Sequence, residues 1–263
     1  MTVKGIGIYC ADVAASVAFY QHYLGARVAG QAGDVTTLEL DGGGVIELIQ
    51  LSAGDAEASI PDCDDGRDGF WHIGVRVKDV APLSDELHAA GVGFFIEPVF
   101  NPVAKVWCAF FYDPDGTVIE LVGGEQEYSQ VFDAAAAERR KAVPLGDAAL
   151  FEHVAFTTGD WPTCRARWEA AGYSVIGTLD LSEGDERGML LYYLTDDKGL
   201  IVEVFTYTVA TNPPLSPEAR RGFAGILADP DTQAHLRLSA AGQLADGRTR
   251  YLDDAGLAVI DAG

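Results

Sequence analysis

Histidine and glutamate recur at matched places along the chain. His72 opens the run His72-Ile-Gly-Val-Arg-Val-Lys-Asp79 and His153 opens His153-Val-Ala-Phe-Thr-Thr-Gly-Asp160, while Gly5-Ile-Gly-Ile-Tyr-Cys-Ala-Asp12 keeps the frame with glycine in place of the histidine. Each copy closes on an apolar run with Gly-x-x-x-Glu spacing, from Gly43 to Glu47, Gly116 to Glu120 and Gly199 to Glu203. Neutral imidazole nitrogens and carboxylate oxygens suit Fe, Mn, Ni, Co or Zn as divalent ions, and a site with three or four protein ligands leaves positions for a bidentate substrate. A carboxylate at or beside such an ion can also carry a proton. A carboxylate on an otherwise apolar strand needs a partner in any case, which for Glu120 and Glu203 favours a ligand role beside the histidines and for Glu47 leaves Arg27, Arg76 or solvent as alternatives.

The elements that must position these groups read as a repeated unit. Opening strands over roughly residues 4–10, 71–77 and 151–157 are rich in β-branched and aromatic residues. Helices follow: Val17, Tyr20 and Leu24 fall at three- and four-residue spacing on one stripe, and Gly25, Gly91 and Gly172 each end a helical stretch. Strand-like runs then lead to turns such as Asp113-Pro-Asp-Gly116 and to the glutamate strand. The unit is βαβββ, and we place the first module at 1–65, the second at 66–124, a helical linker at 125–147, the third module at 148–208 and a C-terminal extension at 209–263. Within the extension, Glu218 to Ala228 and Thr232 to Gln243 read as two helices. Its last run, Tyr251-Leu-Asp-Asp-Ala-Gly-Leu-Ala-Val-Ile260, echoes Leu194 to Glu203 with Ile260 in the glutamate slot, which leaves open a worn fourth module or a chance hairpin.

Length and composition bound the function. A chain of 263 residues can bury a full core without staples, and Cys10, Cys63, Cys108 and Cys164 show no C-x-x-C spacing, as in a reducing cytoplasm. With 18 basic against 40 acidic residues the net charge is -22, which argues against nucleic acid and anionic membranes as partners. Acidic clusters such as Glu183-Gly-Asp-Glu186 read as solvated loops. The opening Met1-Thr-Val-Lys-Gly-Ile-Gly enters a strand pattern with no signal-peptide character, so a soluble, untargeted, cytoplasmic protein is expected.

At module level the sequence resembles the vicinal oxygen chelate superfamily, which includes glyoxalase I, methylmalonyl-CoA epimerase, extradiol dioxygenases and bleomycin- and fosfomycin-resistance proteins. The resemblance is carried by Ser16-Val-Ala-Phe-Tyr with Leu24-Gly25 and by Phe111-Tyr-Asp-Pro-Asp-Gly116 with Ile119-Glu-Leu121, and it spans about residues 3–207. It implies an α+β fold in which βαβββ modules pair into half-open, cup-shaped mixed β-sheets around one divalent metal, followed here by a helical C-terminal extension.

Which modules pair decides the ligand list. Pairing of the first and second gives Gly5, Glu47, His72 and Glu120, with one ligand missing. The second and third together give His72, Glu120, His153 and Glu203, the complete set of the glyoxalase and epimerase branches. A third module paired with its copy in a homodimer gives His153 and Glu203 twice. A homodimer is expected because an unpaired module exposes a sheet face and edge. The preferred site contains His153 and Glu203.

The run Tyr192-Tyr193-Leu-Thr-Asp196-Asp-Lys-Gly199-Leu-Ile-Val-Glu203 resembles the closing signature of extradiol dioxygenases, with Tyr193 and Glu203 in the places of the active-site tyrosine and the iron ligand. Asp197 replaces the usual proline, and the additional base histidine of that branch falls near Glu120, a carboxylate. The first reading is therefore a metal-dependent isomerase, epimerase or lyase acting on a small substrate with vicinal oxygens, aromatic or carbonyl-containing. In it Glu120, Tyr193 and Glu47 are candidate catalytic residues and His72, Glu120, His153 and Glu203 the candidate ligands. An Fe(II) ring-cleaving dioxygenase and a metal-free drug-sequestering protein are the alternatives, the second supported by Gly5. Trp71, next to His72, is expected on the opposite face of its strand, and Trp107 in the core, with lining of a cup for an aromatic substrate as its second reading.

Overall fold

The computed structural model describes residues 2–58, 66–212, 221–228, 239–244, 248–252 and 258–261. The first run of elements is β1 (Val3–Cys10), α1 (Val13–Leu24), β2 (Arg27–Ala32), β3 (Val35–Glu39) and β4 (Val45–Gln50), followed by a short α2 (Ala53–Ala58). The same order returns as β5 (Gly69–Val77), α3 (Val80–Ala89), β6 (Phe94–Asn101), β7 (Val106–Tyr112) and β8 (Val118–Gly123). After β9 (Gln130–Val131) and α4 (Ala134–Lys141) it returns again as β10 (Leu150–Thr157), α5 (Trp161–Ala170), β11 (Ser174–Asp180), β12 (Leu190–Thr195) and β13 (Ile201–Thr206). Four more strands follow: β14 (Gly222–Ala228), β15 (Ser239–Gln243), β16 (Thr249–Leu252) and β17 (Ala258–Asp261).

The aspartate that ends each opening run has a local job. Asp12, Asp79 and Asp160 cap α1, α3 and α5, their carboxylates accepting from Ala15, Ala81 and Thr163 backbone N–H groups at 3.1 Å each. Such a cap replaces one of the amide partners a helix start lacks and contributes about 1 kcal/mol. Gly25, Gly91 and Gly172 lie at φ of 69°, 77° and 93°, the left-handed conformation in which glycine turns the chain out of a helix.

Two sheets result. One has the order β15-β16-β17-β14-β1-β4-β3-β2, the other β6-β7-β8-β5-β10-β13-β12-β11-β9. In each, opening strands meet antiparallel at the centre, β1 with β14 and β5 with β10, and each opening strand runs parallel to its own closing strand. One apolar core joins the sheets and includes Tyr20 and Leu24 from α1, Leu87 from α3 and Trp168 from α5. Phe70 of β5 stacks on Phe223 of β14 with ring centres 3.9 Å apart. The turn Asp113–Gly116 docks against α1, where Tyr20 donates to Asp113 at 2.8 Å and Ser16 to Asp115 at 2.6 Å.

The C-terminal extension corrects the expectation of two helices. Residues 222–228 and 239–243 are strands, residue 221 is a bend, and residues 218–220 and 232–238 of the two expected helices lie outside the described residues. All of Gly222-Phe-Ala-Gly-Ile-Leu-Ala228 is buried, and a strand covered on both faces reads as a continuous apolar run that periodicity cannot tell from a buried helix. These strands complete the first sheet. The homodimer expected from an unpaired module thereby loses its physical reason, because the second and third units pair with each other inside the chain and the first pairs with β14–β17. Among the described residues, no helix is long and apolar enough to cross a membrane.

Candidate metal centre

Four adjacent strands, β8-β5-β10-β13, carry the four ligand-type side chains on one face. Glu120 stands opposite Gly74 on β5 and Glu203 opposite Ala155 on β10, while across the central pair His72 faces Ala155 and His153 faces Gly74. The small residues leave room for the rings. A Cβ placed at Gly74 would lie 1.8 Å from His153 Cε1, so only glycine admits the imidazole there.

The result is a tight convergence. One ligand atom from each of His72, Glu120, His153 and Glu203 lies within 4.8 Å of the others. The two Nε2 atoms are 3.2 Å apart; Glu203 Oε2 is 3.3 Å from both, and Glu120 Oε2 is 3.4 Å from His72 and 3.1 Å from His153. His72 and His153 are 0% and 1% exposed, and the Glu203 side chain 2%, whereas the Glu120 side chain is 13% exposed and reaches an adjoining cavity. Burial holds the His153 imidazole toward its neutral form, but the Glu203 charge and then the Glu120 and Glu152 carboxylates outweigh it and raise its pKa well above the ordinary value. The same imidazoles overcome the burial of Glu203 and hold its carboxyl well below the usual range.

The donor set fits a divalent cation. Two imidazole nitrogens and two carboxylate oxygens aim at one point with no lysine or arginine among them, the mixed N and O set of first-row divalent metals. His72 Nδ1 and Glu203 Oε2 are buried with no hydrogen-bond partner among the described residues. An unsatisfied buried oxygen this close to two nitrogens costs about 1–3 kcal/mol, which a shared cation would relieve.

Behind His153 stands a group that alternation hides. In the β5–β10 register Phe151 pairs with Val75 and His153 with Gly74, so Glu152 is the extra residue of a bulge. Its Oε2 lies 3.4 Å from His153 Nδ1, and its carboxylate takes both arms of the buried Arg140 guanidinium, at 2.9 and 2.5 Å. A carboxylate on Nδ1 fixes the tautomer that leaves Nε2 free to bind metal. Arg140 comes from α4, donates to Tyr128 at 2.6 Å and lies over the Tyr193 ring at 4.9 Å. A second bulge corrects the placement of Trp71: Ala155 pairs with His72 and Phe156 with Phe70, leaving Trp71 unpaired and turned toward the site, its ring centre 4.3 Å from that of His72.

A cavity of about 590 Å³ opens over the glutamates, walled by Trp71, Phe110, Leu191, Tyr193 and Phe205. Burial, and then the Glu203 carboxylate, push the Tyr193 phenol well above its ordinary pKa, so it is a neutral donor. Cys108 in the wall is held as a thiol, pushed up to about 12 by burial and then by Glu120 and Glu203. Trp107 is neither core nor cavity wall; it is 52% exposed beside Phe100.

Residues 2–121 match the sequence profile of the Glyoxalase/Bleomycin resistance protein/Dioxygenase superfamily. Over that stretch the chain is similar to this superfamily. It is 29% identical over 127 residues to the uncharacterized protein YwkD of Bacillus subtilis (strain 168), covering 46% of this chain and 94% of that one. Its fold is similar to that of glyoxalase I from Zea mays, with a TM-score of 0.70 at 15% identity over 99% of this chain and 92% of the other. A provisionally named dioxygenase from Bacillus subtilis subsp. subtilis str. 168 gives 0.59 at 15% identity over 100% and 85%.

The eight-stranded sheet offers a second, corresponding place, and it is a different object here. By register, the places of His72, Glu120, His153 and Glu203 are taken in the eight-stranded sheet by Gly5, Glu47, Gly225 and Ile260. A Cβ at Gly5 would meet the Val45 carbonyl oxygen at 1.7 Å, so no side chain fits there. Glu47 is not brought to the cluster. Arg248 takes its carboxylate through both terminal nitrogens, and Ile49, Ala224, Leu227 and Ile260 pack the same side of the sheet.

Proposed function

We propose that this protein is a metal-dependent enzyme whose chemistry is proton transfer beside two neighbouring substrate oxygens, of the isomerase, epimerase or lyase kind. The observation that carries it is the meeting of four metal-ligand side chains at the foot of an apolar cavity into which Glu120, the most exposed of them, reaches. His72, Glu120, His153 and Glu203 would hold the divalent ion, which when bound supplies electrophilic polarisation of the substrate oxygens. Glu120 moves the proton: it is within reach of substrate in the cavity and has imidazoles at 3.1 and 3.4 Å to share charge with. Tyr193 donates a hydrogen bond from the wall, and the surrounding aromatic rings keep water from the carbanion-like centre. The metal-free binding reading loses its support, since Gly5 belongs to the packed sheet rather than to this site.

The extradiol reading has one observation in its favour, the placement of Tyr193 beside Glu203 in the cavity wall. Metal-loaded protein incubated with a panel of α-hydroxyketones in heavy water separates the two. Deuterium entering at the hydroxyl-bearing carbon next to the carbonyl, and slowed at least about a hundredfold by Glu120→Gln with metal retained, is the expected result. Oxygen consumption with catechol and no exchange would reverse the order.

A further inference from the structure

The cavity has a charge character that narrows its substrate. Its lining includes Glu120, Glu203, Asp180, Glu183 and Asp185 and, among the described residues, no lysine, arginine or histidine. Glu120 and Glu203 face the metal cluster, and Asp185 is engaged by Arg187 at 3.0 Å. Asp180 and Glu183 are exposed, at the mouth, and neither has a cationic partner among the described residues. Between mouth and base the walls are aromatic and aliphatic, with one unmet polar group: Gln126 is 9% exposed, lines the cavity, and its Nε2 has no hydrogen-bond partner among the described residues. A buried amide N–H left without an acceptor costs about 1–3 kcal/mol until a ligand oxygen supplies one.

Resting on the metal-enzyme reading above, we infer that this site admits uncharged or cationic substrates with an apolar body, and turns anions away. A tail carboxylate or phosphate would sit among apolar walls and acidic mouth residues with no guanidinium or ammonium among the described lining residues to receive it, in a protein of net charge -22. Glutathione conjugates and coenzyme A thioesters, whose recognition needs cations for several acidic groups, are thereby excluded. A neutral hydroxyl or carbonyl on the substrate body meets Gln126.

The test is a set of probes with one chelating head and different tails: ethylcatechol (neutral), dopamine (cationic) and homoprotocatechuate (anionic), with S-hexylglutathione as a fourth. Binding to metal-loaded protein is read from quenching of tryptophan fluorescence, Trp71 lying in the wall. Ethylcatechol and dopamine are expected to bind at least about tenfold tighter than homoprotocatechuate, and Glu183→Lys, an exposed change, to close most of that gap. Gln126→Leu is expected to weaken 3,4-dihydroxyphenylethanol, the same head with a neutral hydroxyl on its tail, several-fold and to leave ethylcatechol unchanged. Homoprotocatechuate or S-hexylglutathione binding as tightly as ethylcatechol would overturn the inference, as would failure of all four probes. Repeating the set on metal-stripped protein keeps the two claims apart: the same charge order with no dependence on metal would overturn the metal-enzyme reading and leave the charge selection standing.

Discussion

Glu152 and His153 are neighbours in sequence and partners in space, which a regular strand does not allow, because successive side chains point to opposite faces. The bulge that makes this possible also ties the site to Arg140 and through it to α4. Glu152→Gln tests the link. It removes the charge facing Arg140 and, at 3.4 Å, Arg76, at a cost of about 3–5 kcal/mol of stability. If Glu152 also orients His153, metal affinity should fall about 10–100-fold by chelator competition, and unfolding scans with and without metal separate the two effects. Unchanged affinity would make Glu152 a structural counter-ion only. The histidines and glutamates themselves were legible in the sequence because they recur in register. Glu152, Trp71 and Gln126 were not: two depend on bulges, which composition does not announce, and the third on the cavity it happens to face.

At the scale of elements the site is a property of the β5–β10 pairing. That ladder places His153 over Gly74 and His72 beside Ala155, so ligand position and strand register are one constraint. Gly74→Ala puts a methyl group into the space of the His153 ring. Overpacking of this kind costs about 1–3 kcal/mol, and the ring must turn away from the cluster. The expected outcome is a folded protein by circular dichroism with a lowered Tm and sharply reduced metal content; wild-type metal content would show that the ring can be accommodated elsewhere. The helices were readable from the apolar stripe of Val17, Tyr20 and Leu24 and from the closing Gly25, Gly91 and Gly172; the capping role of the aspartates needed the structure. Strand β14 was not, because an apolar segment buried on both faces lacks the alternation that marks a strand.

At the scale of the molecule, two sheets of the same design have taken different courses. The nine-stranded sheet keeps a cavity with four converging ligand groups, while in the eight-stranded one Gly5 and Gly225 stand where the histidines would be, Ile260 replaces a glutamate, and Arg248 holds the remaining one. The absent histidine at Gly5 was visible in sequence; that its sheet is completed by the C-terminal strands, and not by the second unit, needed the fold. The account therefore turns on one shared centre per chain. Elemental analysis of protein purified without chelator or affinity metal, on wild type and on His72→Ala, His153→Ala and Glu47→Gln, tests it directly. The expected result is one divalent transition metal per chain, lost in both histidine variants and retained in Glu47→Gln. Metal retained in either histidine variant, lost with Glu47, or absent from wild type after reconstitution would contradict the account.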